Sequence, residues 1–218
     1  MGITDRKQRQ KEEVRSSILD TAWDLVVSEG WHSFSIRKIA DAIEYSVPVI
    51  YSHFENKDAI LLEFNRKGFQ LLTEALAAAK AGQTAPADQI RAMGRAYWNF
   101  AFSNKEYYQL MFGLGIPTCE TASKIPAMQD FNKVVTGSII AMVPEGQPLP
   151  FDPFLKYQSF WSMLHGLVSI NMTSLTSMTS QANSGNQHGH EALPQQVLED
   201  VLCSFIRGIQ SAGQPTGS

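Results

Sequence analysis

The chain has 218 residues, room for one sizeable domain or two small ones at roughly 100–200 residues each. With 44% hydrophobic, 10% aromatic and 18% charged residues, it carries too much apolar surface for a disordered chain, and 15 Gly, 10 Pro and 2 Cys exclude collagenous and disulfide-framework classes. A formal net charge of −3 gives no bulk electrostatic sign of a nucleic-acid binder.

No apolar run reaches the ~20 residues that span a bilayer, so no membrane partner is expected. The amino-terminal stretch MGITDRKQRQKEEVRS lacks the apolar core of a secretory signal. Cys119 and Cys203 are isolated and follow no redox or metal-ligand spacing. These features point to a cytoplasmic protein in a reducing compartment. Charge is uneven at the start: Arg6, Lys7, Arg9, Lys11 and Arg15 face only Asp5, Glu12 and Glu13. Such a basic arm is either a solvated tail or a segment that follows a phosphate backbone.

The pattern predicts an all-α protein, with no run of strand alternation. Val14, Ile18, Ala22, Leu25 and Val26 recur at spacings of three and four, an amphipathic helix over 12–28. Gly30 is expected to stop it through the left-handed conformation that glycine tolerates. Ser35 is placed to cap a helix over 36–43, with Phe34 and Ile39 as a hydrophobic staple. The device repeats at Ser46, which is placed to cap a helix over 47–54 with Tyr45 and Ile50 as the staple. Pro48 falls in the first turn, where its missing N–H is harmless. Two short helices joined only by Glu44 and Tyr45 form a helix-turn-helix candidate.

Asn56 is expected to cap a helix over 57–80, with Ile60, Leu61, Phe64, Leu71, Leu72 and Ala75 on its apolar side and Phe69 out of phase. A linker over 81–87 follows, then helices over 87–103 and 104–112, a glycine- and proline-bearing stop at 113–117, and a helix over 121–143. The proline-rich stretch 144–153 is a break. A long apolar helix is expected over 154–178, a polar loop over 179–193, and a last helix over 194–212 with Val197, Val201, Phe205 and Ile209 on one face.

Three features carry chemistry. Lys57 sits in a first turn, against the helix dipole at ~0.3–1 kcal/mol. That is either a tolerated solvated lysine or a cation placed where a phosphate is meant to sit. In the helix over 47–54, Ile50 and Phe54 face inward, which leaves Pro48, Val49, Tyr51, Ser52 and His53 less covered. Exposed apolar, hydroxyl and imidazole groups on a short helix suit a major groove, although a half-buried connector helix has the same pattern. The third feature is an aromatic and methionine-rich middle: Tyr97, Trp98, Phe100, Phe102, Tyr107, Tyr108, Met111, Phe112, Met128, Phe131, Met142, Trp161 and Met163. Most of these are expected as plain core. As a set they could also line an adaptable apolar cavity, with Tyr108, Gln158, Ser162 and His165 as its polar members. His188, His190 and Glu191 match no closed zinc geometry and read as a solvated loop. No metal, cofactor or catalytic constellation is expected, and the chain is not read as an enzyme.

The run from Phe34 to Ile43, then Ser46 to Phe54, then Asn56-Lys57, resembles the DNA-binding domain of the TetR family of bacterial repressors. The resemblance covers about residues 10–66, with Ile39-Ala40, Ser46, Tyr51, His53-Phe54 and Lys57 at the family's spacing. Tyr107 to Phe112 and Trp161-Ser-Met-Leu-His165-Gly166 are similar to one branch of that family. Glu44 departs from it, because the turn usually carries glycine. The resemblance implies a DNA-binding domain over 1–56 and a helical ligand-binding and dimerisation domain over 57–218. Ser35 and Arg37 would then touch phosphate or a base, Val47, Pro48 and Val49 would lie along base edges, Tyr51, His53 and Lys57 would hold the backbone, and Ser46 and Ser52 would complete the DNA-binding set. It further implies a homodimer through the last two helices, a palindromic operator in double-stranded DNA and a small hydrophobic or neutral effector. The effector pocket would draw on Trp98, Phe102, Tyr108, Met111, Phe112, Phe131, Gln158, Trp161, Ser162 and His165. The rival class is a helical homodimeric interaction or ligand-binding protein with no DNA role.

Overall fold

The computed structural model describes residues 2–113, 126–178 and 192–212. Its helices are α1 (Ile3–Glu29), α2 (Ile36–Ala42), α3 (Val47–His53), α4 (Lys57–Ala81), α5 (Pro86–Ser103), α6 (Lys105–Phe112), α7 (Pro126–Ile140), α8 (Pro153–Met178) and α9 (Ala192–Ala212), with one 3-10 turn at Trp31–Ser33. No strand occurs among the described residues. The expectations at Cys119, at 121–125 and at His188, His190 and Glu191 lie outside the described residues.

The largest departure from the sequence reading is at the start. The basic segment is not a tail but the first part of α1, which begins at Ile3. Its N-terminal turn is held by Asp5, whose Oδ2 accepts from the Gly2 N–H at 3.0 Å, and Gln8 Nε2 donates to Glu12 Oε1 at 2.7 Å one turn apart. Lys, Arg, Gln and Glu are strong helix formers, so a polar segment continues the helix that packing nucleates further along.

The described residues of Met1–Gly68 and Glu106–Ser123 form one compact unit, and those of Phe69–Lys105 and Lys124–Ser218 form another. In the first unit, Ile18, Ala22 and Val26 of α1 meet Ile39 and Ala40 of α2, Ile50 of α3, and Ile60, Leu61 and Phe64 of α4 in one buried cluster. Helix α6 belongs to the same unit. Leu110 is part of the cluster, Tyr107 stacks on Trp23 with ring centroids 3.8 Å apart, and Trp31 Nε1 donates to the Glu106 carbonyl at 3.1 Å. Gly68 lets Met111 pack closely, since a Cβ would stand 2.5 Å from Met111 Sδ and force that side chain to shift.

The second unit is built around α5, which touches α7, α8 and α9. Ile90, Met93, Gly94, Tyr97, Trp98 and Ala101 are buried along its inner face at helical spacing. Gly94 lets α9 approach closely, because any Cβ would collide with Leu202. On α9 the buried face is Leu198, Leu202, Phe205, Ile206 and Ile209. Val197, expected on that face, lies outside it at 37% exposure. Four-residue steps advance 400° rather than 360°, so a row of them drifts off the buried stripe. Arg95 forks onto Glu199, with Nε–Oε1 at 2.5 Å and Nη2–Oε2 at 2.8 Å. The shared hydrogen bonds push the Arg95 guanidinium up and hold the Glu199 carboxyl down.

Candidate nucleic-acid interface

α1 ends at Gly30, whose N–H donates to the Val26 carbonyl at 2.8 Å. Glycine is needed, but not for the conformation expected. At φ 82° and ψ 168° the residue lies beyond the left-handed helical region, in extended space that is essentially glycine's alone. This turns the chain directly into the Trp31–Ser33 turn and sets the entry of α2.

Ser35 and Ser46 occupy the N-cap positions of α2 and α3, but neither hydroxyl bonds the first turn. Both sites are extended in the backbone, so the cap position is set by geometry and the hydroxyls are left over for other donors and acceptors. Phe34 and Ile39 are both buried in the cluster. Tyr45, the expected staple partner of Ile50, is exposed instead. In α3, Ile50 is buried and Pro48 stands in the first turn, as the pattern predicts.

Glu44 carries the turn that joins the two helices. It adopts φ 60°, and its N–H donates to the Asp41 carbonyl at 3.3 Å while the Tyr45 N–H reaches the Ala40 carbonyl at 3.0 Å. This pair of bonds is a Schellman motif, with glutamate where glycine is preferred. The turn therefore closes without glycine at the strain of a left-handed L-residue, about 1–2 kcal/mol.

Around this frame the predicted surface residues sort themselves. Arg37, Ser46, Pro48, Tyr51, Ser52 and Lys57 are exposed, while Ser35, Val47, Val49 and His53 are half-buried. Ser52 Oγ donates back to the Val49 carbonyl at 2.7 Å. Lys57 lies over the Phe34 ring, Nζ 4.9 Å from the centroid, which fixes its stem and offsets part of its conflict with the dipole. Asn56 caps α4 as expected, its Oδ1 accepting from the Ala59 N–H at 2.9 Å. Arg15 reaches from α1 to the far end of α3, with its guanidinium 4.3 Å from the Phe54 ring centroid and Nη2 2.8 Å from Glu63 Oε1. Burial, then Lys11 and Arg15, hold the His53 imidazole below its usual range. The role of Arg15 has no local signal in the sequence, because its contacts lie 39 and 48 residues away.

The ten candidate effector contacts divide between the units. Tyr108, Met111 and Phe112 belong to the first; Trp98, Phe102, Phe131, Gln158, Trp161, Ser162 and His165 belong to the second. In the second unit Trp98 lies against Phe102 with centroids 4.6 Å apart. Phe131 meets Tyr97 at 6.3 Å and Tyr157 at 5.8 Å, and burial pushes the Tyr157 hydroxyl up to about 12. Trp161 stacks on His165 at 5.7 Å, and His165 Nε2 is 3.4 Å from Ser169 Oγ. Burial holds the His165 imidazole below its usual range. Gln158 is half-buried and Ser162 is exposed. Among the described residues no group of three His, Cys, Asp or Glu could hold a metal ion, and no helix is long and apolar enough to cross a membrane.

A short helix presented by a closed turn, with hydroxyls along its outer side and the exposed cations Arg37 and Lys57 on the helices before and after it, is the arrangement of helix-turn-helix proteins that read DNA. Residues 18–64 match the family model described as bacterial regulatory proteins of the tetR family, and residues 90–184 match the tetracyclin repressor-like C-terminal domain. The chain belongs to the TetR family, a family of DNA-binding transcriptional regulators. It is 28% identical over 102 residues to the HTH-type transcriptional activator FasR of Mycolicibacterium smegmatis, a stretch covering 47% of this chain and 47% of that relative, so the match spans about half of each. The fold is shared with SCO4454, a TetR-family transcriptional regulator from Streptomyces coelicolor, at a TM-score of 0.65 and 17% identity over 96% of this chain and 98% of that one. It is also shared with FadR from Bacillus subtilis, solved in complex with stearoyl-CoA, at a TM-score of 0.62 and 16% identity over 89% and 98%.

Proposed function

We propose that the protein is a homodimeric repressor that binds a palindromic operator and is released by a small hydrophobic or neutral effector. Residues 1–56 serve as the reading domain and residues 57–218 as the effector-binding and dimerisation domain. The observation that carries this is the outer side of α3, where Ser46, Pro48, Tyr51 and Ser52 are exposed above a helix pinned by Ile50. Val47, Pro48 and Val49 suit thymine methyls and base edges. Arg37 suits a base or phosphate, and Ser35, Tyr51, His53 and Lys57 suit phosphate. Two-fold symmetry sets half-sites about 34–36 Å apart, or a multiple of that.

The dimer reading is supported by α8 and α9. Leu155, Ser159, Ser162, Gly166 and Ile170 follow one another at spacings of three and four along α8. Leu155 and Ile170 are 60% and 65% exposed, and a Cβ at Gly166 or at Gly208 of α9 would meet nothing within 4 Å. Exposed aliphatics between small residues suit a four-helix contact with a second copy. The effector reading is supported by the aromatic interior of the second unit and its scarcity of buried charge. An effector that binds one dimer geometry better than another shifts the population between them and so changes operator affinity.

The test is selection of genomic DNA fragments on the purified protein, then anisotropy titration of the recovered duplex at graded salt. A palindrome is expected. Lys57→Ala lowers the salt slope by about 0.9 for each copy that loses a phosphate contact, whereas Arg37→Ala relaxes sequence preference. Acyl thioesters of graded chain length then serve as effector probes. Weak, sequence-blind retention would leave a helical ligand-binding dimer without a DNA role. A reporter that falls silent when the protein is deleted would make it an activator.

A further inference from the structure

α1 is 27 residues long, yet none of the residues of its first part, 4–13, is buried; Val14, Arg15 and Ile18 are the first to pack. This segment carries Lys7 and Lys11 one turn apart, in line with Arg15 a turn further on. Arg15 is engaged at the end of α3, over Phe54 and paired with Glu63. Its Nη1 is buried with no hydrogen-bond partner, as is His53 Nδ1. Arg15 packs on Phe54, the residue that follows α3, so the row of cations starts beside the end of α3 and runs away from it along α1. Neither Lys7 nor Lys11 makes an ion pair among the described residues.

We propose that Lys7 and Lys11 form a basic rail on α1 that grips backbone phosphates of duplex DNA outside the bases faced by α3, with Arg15 as the positioning residue that locks the rail to the end of α3. The inference rests on the operator reading above and extends it to the flanks of the site. From Lys7 to Lys11 the helix rises ~6 Å, and a strand offers a phosphate about every 3.4 Å of duplex axis. The two lysines therefore match about two successive phosphates. A polar helical segment with no packing partner has no role in the core, and its single-sign row gives it one toward a polyanion.

The experiment compares wild type with Lys7→Gln/Lys11→Gln on two fluorescent duplexes recovered by genomic selection, one trimmed to the palindrome and one with flanks of about one helical turn on each side. On the long duplex the double variant is expected to lose about 0.9 of salt slope per lysine, roughly 3.6 for a dimer. Wild type binds the long duplex more tightly than the trimmed one, and the variant does not distinguish them. Lys7→Arg/Lys11→Arg keeps the charge and restores both behaviours, which separates charge from any change in helicity. Unchanged slope and unchanged length preference in the Gln variant, with selective binding intact, would overturn the rail while leaving the operator reading standing. Wild type that shows no selective binding on either duplex would overturn both.

Discussion

The unit that carries α2 and α3 folds nearly all its aliphatic side chains into one cluster, while the unit built on α5 leaves Phe154, Leu155, Ile170, Leu193 and Val197 exposed on α8 and α9. Among the described residues of the first unit the large exposed apolar groups are Val27 and two tyrosines, Tyr45 and Tyr51. The tyrosines end in hydroxyls that can face water or phosphate. A seven-residue helix such as α3 cannot stand alone, since helices shorter than ~12–15 residues are marginal in water. Its presentation depends on a complete core beneath it. The second unit leaves one face unfinished, which is the face proposed to meet another copy. Completeness suits a surface that must read DNA, and incompleteness suits one proposed to pair with its own twin.

The contrast is broken most strongly from the inside. Ile50→Ala removes a fully buried anchor under α3 and is expected to destabilise the protein by about 2–5 kcal/mol, read by urea denaturation at a fixed protein concentration. Val27→Ala, on an exposed side of α1 outside the proposed dimer contact, should stay within about 0.5 kcal/mol by the same measurement. Ile170→Glu places a charge where the second copy is proposed to sit, and it should move the protein from dimer to monomer in sedimentation velocity. A sedimentation profile equal to wild type would remove that face from the dimer.

A smaller effect follows from pH. Burial holds His53 and His165 below their ordinary value of 6.5 in the folded chain, so the unfolded chain binds more protons as pH falls through that value. Stability is then present above about pH 6.5 and lost progressively below it. The urea midpoint should drop between about pH 7.5 and 5.5, and His165→Gln should reduce that drop. An equal drop in the variant would remove His165 from the effect.

A small gain is expected at the turn. Glu44→Gly relieves a left-handed glutamate, about 1–2 kcal/mol, but adds roughly 0.4–1 kcal/mol of unfolded-chain entropy. A net stabilisation of about 0.5–1 kcal/mol, a few degrees in Tm, is the outcome to look for by calorimetry. Glu44→Ala keeps the strained backbone and should give no gain. Because the Schellman bonds already hold the turn, Glu44→Gly should leave the approach of α3 to DNA unchanged.

The helices and their order were written in the sequence, because the signals that specify them act over three or four residues. The stripe of Ile18, Ala22 and Val26, the proline at the start of α3, the Asn56 cap and the bare outer side of α3 are all such signals. The reading of residues 34–57 as a helix-turn-helix followed from them. What they could not supply was anything carried by contacts distant in the chain. Trp23 and Trp31 gave no hint that α6 joins the first unit, since Tyr107 and Glu106 lie more than seventy residues away. Phe69, out of phase on its own helix, is buried all the same. The forked Arg95–Glu199 pair spans 104 residues, and the near-collision of Gly94 with Leu202 spans more. The same limit applied to the charged start of α1, whose composition fits a tail as well as a helix until packing from Val14 onward nucleates it. Local periodicity determined which segments are helices and which side of each is apolar. Tertiary packing alone decided which of those sides meet one another, and which are left facing outward.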